Sequence, residues 1–316
     1  MADRTFYSAK GLIGGAADDL DLIDGAALLD GDMAYVTLAN AIYFYILDAD
    51  SAGTESSPAI IEPDANGGDK RWILQNIFQV GGYKNLIING GMEHAQRGAS
   101  GAANFTSATT PANSDDTYLL DRFILLSDGN DIADVTQQSG GGVSGNEKYV
   151  RLDVETAAKK FGLLQIIENK NCKSIIGDKA SLSFEAKVTN ATKLSDIRAV
   201  VLSWDNGADV VTSDVVGAWA VEGTVITPAA NWTAENVAAN LGVTTSWVKY
   251  KIEDIDIDTA SADNVAVFIY QNNVATNDTV GIFLEITNIQ LEPGPKCTDF
   301  EYRDVGAELA LCQRYY

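Results

Sequence analysis

At 316 residues the chain has room for about two domains of ordinary size, each able to bury a core. Its 46% hydrophobic and 21% charged residues exclude a disordered tail, and 22 Lys+Arg against 44 Asp+Glu leave a net charge of -22. Such a field repels nucleic-acid phosphates and anionic headgroups, and no run approaches the roughly 18 apolar residues of a membrane helix, so neither nucleic acid nor membrane insertion is expected.

MADRTFYSAKGLIGG, at the start, lacks a basic region followed by a sustained apolar core, so a secretory signal is not expected. Residues 1–80 read as a small β-rich unit with strands AYVTL (34–38) and AIYFYIL (41–47) and a closing KRWIL (70–74) centred on Trp72. DADSAGTESSPAIIEPDANGGD (48–69) reads as a polar surface loop, and the two glycines of FQVGGYK (78–84) mark a linker.

Beyond residue 85 the pattern has period two. YVRLDV puts Val150, Leu152 and Val154 on one face, and SLSFEAKV does the same with Leu182, Phe184, Ala186 and Val188. NVAVFIY (264–270), apolar on both faces, reads as a central strand. GIFLEITNIQLEPG aligns Ile282, Leu284 and Ile286, then shifts phase at Ile289 and Leu291 as a β-bulge would. Turn-forming clusters such as SDGND (127–131) and QNNVATND (271–278) separate these runs. The fold class expected is all-β, with a jelly-roll β-sandwich over 85–303. Val305, Leu309, Cys312 and Tyr316 then follow at helical spacing, with Asp304 placed to cap, so 304–316 is expected to be a helical tail.

NLIINGGMEHAQRGAS (85–100) and LEITNIQLEPGPKCTDFEYRDVGAELALCQRYY (284–316) together resemble the two ends of a recurrent module of phage and prophage tail proteins. YLLDRF (118–123), VLSWDNGADVVTSDVVGAW (201–219) and NWTAENVAANLGVTTSW (231–247) are similar to parts of the same module. The resemblance implies a jelly roll akin to carbohydrate-binding modules, carried on a tail fibre or other virion appendage and made in the host bacterial cytoplasm. It implies attachment to a host cell-surface glycan, with residues 1–80 docking onto other virion proteins. A homo-oligomer follows by analogy with fibres, a trimer being favoured. The alternatives are a structural virion component without a ligand, or a bacterial carbohydrate-binding module outside a phage.

Catalytic chemistry finds no foothold in the sequence. Its one histidine, His94, would have to serve as any neutral-pH base, and a structural hydrogen bond is the simpler role. Cys172, Cys297 and Cys312 match no metal or redox spacing. No cofactor is expected beyond a structural calcium, for which Glu93 and the alternating Asp254, Asp256 and Asp258 of EDIDID are the candidates. Aromatics are the better lead, because a sugar's C–H face packs on a flat ring while nearby amides and carboxylates bond its hydroxyls. Trp204, Trp219 and Trp232, with Asp205, Asn206 and Asn231 beside them, form the expected glycan site, against the plainer reading that these tryptophans are core. Trp247 reads as structural.

Overall fold

The computed structural model describes every residue except 1–3, 15, 39–40, 80–82, 98–103, 146, 220, 222, 258–261, 273–280 and 315–316. Asp258, Tyr315, Tyr316, most of the QNNVATND loop and the centre of the FQVGGYK stretch therefore lie outside the described residues. Two compact units emerge, Met1–Lys84 with Pro293–Lys296, and Asn85–Glu292 with Cys297–Tyr316.

The first unit holds one mixed sheet of β1 (Phe6–Ala9), β2 (Met33–Thr37), β3 (Ala41–Asp48), β4 (Ile60–Ile61) and β5 (Arg71–Gln79), in the order β1-β2-β3-β5-β4. Alternation does the sorting. Ala34 and Val36 point to a core with Tyr43, Tyr45, Leu47, Leu74 and the fully buried Trp72. Two strands escape the pattern: β1 pairs parallel with β2, and β4 lies inside the supposed loop, where Ile60 and Ile61 pair with Ile73 and Trp72.

In the second unit the first strands are β6 (Asn104–Phe105), β7 (Thr117–Tyr118), β8 (Ile124–Ser127), β9 (Ala133–Gly141), β10 (Glu147–Val154) and β11 (Phe161–Ile167). After a helical turn, α1 (Asn169–Cys172), come β12 (Lys179–Val188), β13 (Ile197–Trp204), β14 (Val216–Ala218), β15 (Thr227–Pro228) and β16 (Trp232–Ala234). The chain closes with β17 (Val248–Asp256), β18 (Asn264–Gln271), β19 (Phe283–Pro293) and α2 (Val305–Gln313). One six-stranded sheet runs β17-β12-β19-β10-β9-β6, the other β16-β13-β18-β11-β8-β7, and from β10 onward successive long strands alternate between them as in a jelly roll.

Both faces of the second sheet are covered. Val265, Val267 and Ile269 of β18 join Leu182, Phe184, Val150, Leu152, Leu284 and Ile286 in the core between the sheets. Ala266, Phe268 and Tyr270 face outward, into a second core closed by the 205–240 excursion. Each fully buried large apolar side chain contributes roughly 1.5–3 kcal/mol, so this outer core is a substantial part of the fold.

Asp304 caps α2, its Oδ1 accepting from Gly306 N at 2.9 Å and Ala307 N at 3.2 Å. The expected apolar stripe fails at its first member, because Val305 is exposed while Glu308 and Cys312 turn inward. The helix belongs to the sandwich unit rather than forming a separate tail.

Candidate functional site

The tryptophans chosen from the sequence do not make a sugar platform. Trp204 is 2% and Trp232 5% exposed, packed together with ring centroids 5.3 Å apart. Parity decides this: Val200, Leu202 and Trp204 share the outward face of β13, and that face lies under the second core. Trp219, half-buried, packs on Phe268 and Tyr270 from the covering loop. Asp205, Asn206 and Asn231 stay exposed, but beside them is no open ring of Trp204 or Trp232. Trp247 meets Tyr149 edge-on at 5.3 Å, the structural contact expected of it.

The calcium candidates also separate. Lys179 Nζ bridges Asp254 at 3.2 Å and Asp256 at 2.7 Å, so these carboxylates answer a lysine on the neighbouring strand. Glu93 faces Lys148 at 3.8 Å. Among the described residues no group of three or more His, Cys, Asp or Glu side chains is arranged to hold a metal ion.

A different site forms where the opening and closing segments meet. Leu86 N donates to Leu291 O at 2.8 Å and Ile289 N to Gly90 O at 3.0 Å, laying residues 85–91 along the end of β19. Asn85 spans the two, its Nδ2 on Ile289 O at 3.0 Å and its Oδ1 accepting from Ile87 N and Leu291 N. Glycine is required at position 90, where a Cβ would fall 2.1 Å from Ile289 O. Arg303, its side chain 5% exposed, donates to Ile87 O at 3.1 Å and to Asn85 O and pairs with Glu308 at 3.0 Å. Glu308 in turn accepts from Asn89 N, whose side chain holds both His94 and Asp121 backbone carbonyls. His94 makes structural bonds here, with its N on Asn89 Oδ1 at 2.9 Å and its Nε2 3.2 Å from Val305 O.

Beside this seam lies a cavity of about 350 Å³, lined by Gly90 and Gly91, Glu93, Ser144 and Glu147, Asn288, and Phe300 to Arg303 with Val305 and Glu308. Its wall is aromatic: Phe300 and Tyr302 meet edge-on at 5.0 Å, and Tyr302 is 70% exposed. The Tyr302 hydroxyl turns inward and donates to Glu147 Oε1 at 3.0 Å. Burial of that end, then the bond and charge of Glu147, raise its pKa above the usual phenol range, with the Asn288 amide acting the other way.

Asn288 sets this cavity apart. It is 3% exposed, and although neither end of its amide meets ordinary hydrogen-bond geometry, the side chain interacts with the Tyr302 hydroxyl beside it. The phase shift between Ile286 and Ile289 is the reason it sits there: Asn288 adopts φ +50, two residues past Ile286, the last residue of β19 paired with β10. Glu93 is the single sequence candidate that lines this cavity. Asn288, Glu147, Phe300 and Tyr302 were missed, although the phase shift marked the spot.

No family model matches the sequence, and no curated protein matches it either. Among solved structures, the chain is similar to the enzymatically active domain of tailspike protein 4 of bacteriophage CBA120, at 15% identity and TM-score 0.39, over 67% of this chain and 22% of that one. It thus spans about a fifth of the tailspike chain's length. It is also similar to a family 4 carbohydrate-binding module, at 14% identity and TM-score 0.31 over 65% of this chain and 97% of that one. A third is the C-terminal family 22 carbohydrate binding module from Clostridium thermocellum, at 12% identity and TM-score 0.32 over 66% and 98%. The class of the second unit, a jelly-roll β-sandwich, is defined by its own strand order.

Proposed function

We propose that the protein is a non-enzymatic attachment component of a phage tail fibre or appendage, and that its sandwich holds a host-surface glycan at the seam cavity. The observation carrying this is the exposed ring of Tyr302 on the wall of a cavity that Glu93, Ser144, Glu147 and Asn288 also line. An aromatic ring beside carboxylate and hydroxyl groups is the chemistry that recognises a sugar. Attachment requires binding without turnover. Purified protein should therefore bind intact host cells and extracted surface polysaccharide saturably while the polysaccharide's chain length stays constant; shortening of the chain, or no binding to any fraction, overturns the proposal.

The first unit supports an assembly role for residues 1–80. Phe6, Tyr35 and Phe44 form a row across β1 to β3, ring centroids 5.3 and 5.1 Å apart, with Phe6 54% exposed. An aromatic strip on one side of a single sheet suits contact with other virion proteins or with copies of the chain. Sedimentation of the purified protein should give a trimer, and Phe6→Ser with Tyr35→Ser should reduce it to smaller species.

A further inference from the structure

Among the described residues, the first sheet of the sandwich ends on a long strand, β17, that has only β12 beside it. Its nine residues contrast with the other sheet edges of this unit, β6 and β7 at two residues each and β16 at three. An edge strand presents a row of backbone N–H and C=O groups that another strand can take up, and very short edges close that route. β17 is therefore where a further strand has room to pair. Val248, Lys251, Asp254 and Asp256 are exposed along it, Asp254 and Asp256 with 62% and 80% of their side-chain surface.

The charges on β17 are sorted by sign. Lys249 and Lys251 occupy its first half, Glu253, Asp254 and Asp256 its second. Lys249 Nζ donates to the neutral Thr298 carbonyl at 2.7 Å, and among the described residues neither lysine pairs with a carboxylate. In the second half Lys179 meets both Asp254, at 3.2 Å, and Asp256, at 2.7 Å, so one cation answers two carboxylates. Each half keeps charge of its own sign to offer a neighbour. With a second copy of the strand laid antiparallel and Ile252 opposite Ile252, Lys251 comes opposite Glu253, and Val248 and Lys249 opposite Asp256 and Ile255, at both ends of the two-fold pair. Opposite charges facing across a strand pair stabilise it and like charges destabilise it, so the order of the signs selects this direction. Parallel pairing would set lysine against lysine.

We infer that β17 is an interface between copies of this chain, formed by antiparallel pairing of two β17 edges about a two-fold axis near Ile252. A net charge of -22 keeps copies apart over most of their surface, and a strand complementary to itself is where two of them tolerate close approach. A partner of another sequence would need the same order of signs, which a copy has by construction. The contact is separate from the aromatic strip of the first unit and independent of any glycan.

The test uses the full chain carrying Phe6→Ser and Tyr35→Ser, so that the aromatic strip does not contribute. Sedimentation at roughly 100 μM, a concentration suited to a small interface, should show a dimer in this background. Lys249→Glu with Lys251→Glu makes the strand acidic throughout, and Asp254→Asn with Asp256→Lys makes it largely basic, asparagine being tolerated at φ +61. Each variant alone should dimerise at least about tenfold more weakly, and an equimolar mixture should recover the dimer because an acidic strand then meets a basic one. Amide exchange over residues 248–256 should also slow as the background protein is concentrated, while exchange in β6, β7 and β16 stays constant, a readout that needs no charge variant. A monomeric background protein, charge variants that associate as it does, or exchange in β17 indifferent to concentration overturns the inference. A background protein that stays trimeric overturns the aromatic-strip reading alone, and the mass that the mixture gains over the trimer then decides this one.

Discussion

The 204–240 region and the seam cavity contain the same kinds of residue and use them in opposite ways. In the first, tryptophans adjoin Asp and Asn as a sugar site requires, but the sheet carrying them is covered on both faces and the rings fill a core. In the second, Phe300 and Tyr302 occur in an unremarkable polar run, TDFEY, and the ring of Tyr302 is left in the open. Composition nominates a binding surface, but strand parity and what covers each face decide it.

Mutations should break this comparison cleanly. The largest effect belongs to the outer core, where Trp232→Ala should lower unfolding stability by about 3–5 kcal/mol in a denaturant titration. Glycan affinity of the folded variant should be unchanged; loss of affinity without loss of stability would return the site to the tryptophans. Arg303→Ala should cost a similar amount, about 3–5 kcal/mol, because it leaves Glu308 buried without its ion pair. Tyr302→Ala, at the exposed wall, should shift stability by no more than about 1 kcal/mol and weaken binding about tenfold. Calorimetry on one protein preparation separates the two readouts.

A smaller effect concerns pH. Asp134 and Asp153 face each other across β9 and β10, and each is raised to about 6, by burial first and then by neighbouring carboxylates. Glu155 and Asp131 add to the repulsion at Asp134; at Asp153, Glu155 does so while Arg151 opposes it. A carboxyl raised in the folded state binds its proton more tightly there than in the unfolded chain. These two groups therefore favour folding as pH falls from about 7 through 6 towards the unfolded value near 4, and weaken it as pH rises. After allowance for solvent screening the effect is on the order of 1 kcal/mol. Asp134→Asn should raise the Tm at pH 7.5 and flatten its pH dependence between 7 and 5; an unchanged slope would remove this pair as the cause.

Much of the fold was legible because its signal is local. Leu182, Phe184, Ala186 and Val188 alternate, and all four are buried; NVAVFIY is apolar on both sides because two cores flank it. Strand β1 was illegible since it is four residues long and its alternation, with Tyr7 and Ala9 inward, is masked by an exposed Phe6. The site was harder still. Asn288 joins the cavity wall only in relation to residues 85–93 and 300–308, and no window of sequence holds those together. Glu308 likewise took an inward position that helical periodicity assigned to Val305, because Arg303 and Asn89 were there to meet its charge.

The seam also dictates an order of events. Its hydrogen bonds join residues 204, 216 and 219 positions apart, as in Asn85 to Ile289, Arg303 to Ile87 and Asn89 to Glu308. Contacts so distant along the chain close slowly and late. During synthesis the opening segment must wait, its Asn85 and Asn89 unsatisfied, until residue 308 has left the ribosome at roughly 5–20 residues per second. The sandwich is thus completed by its last-made residues, and a ribosome stalled before Arg303 would hold a chain with most of its strands and no lock.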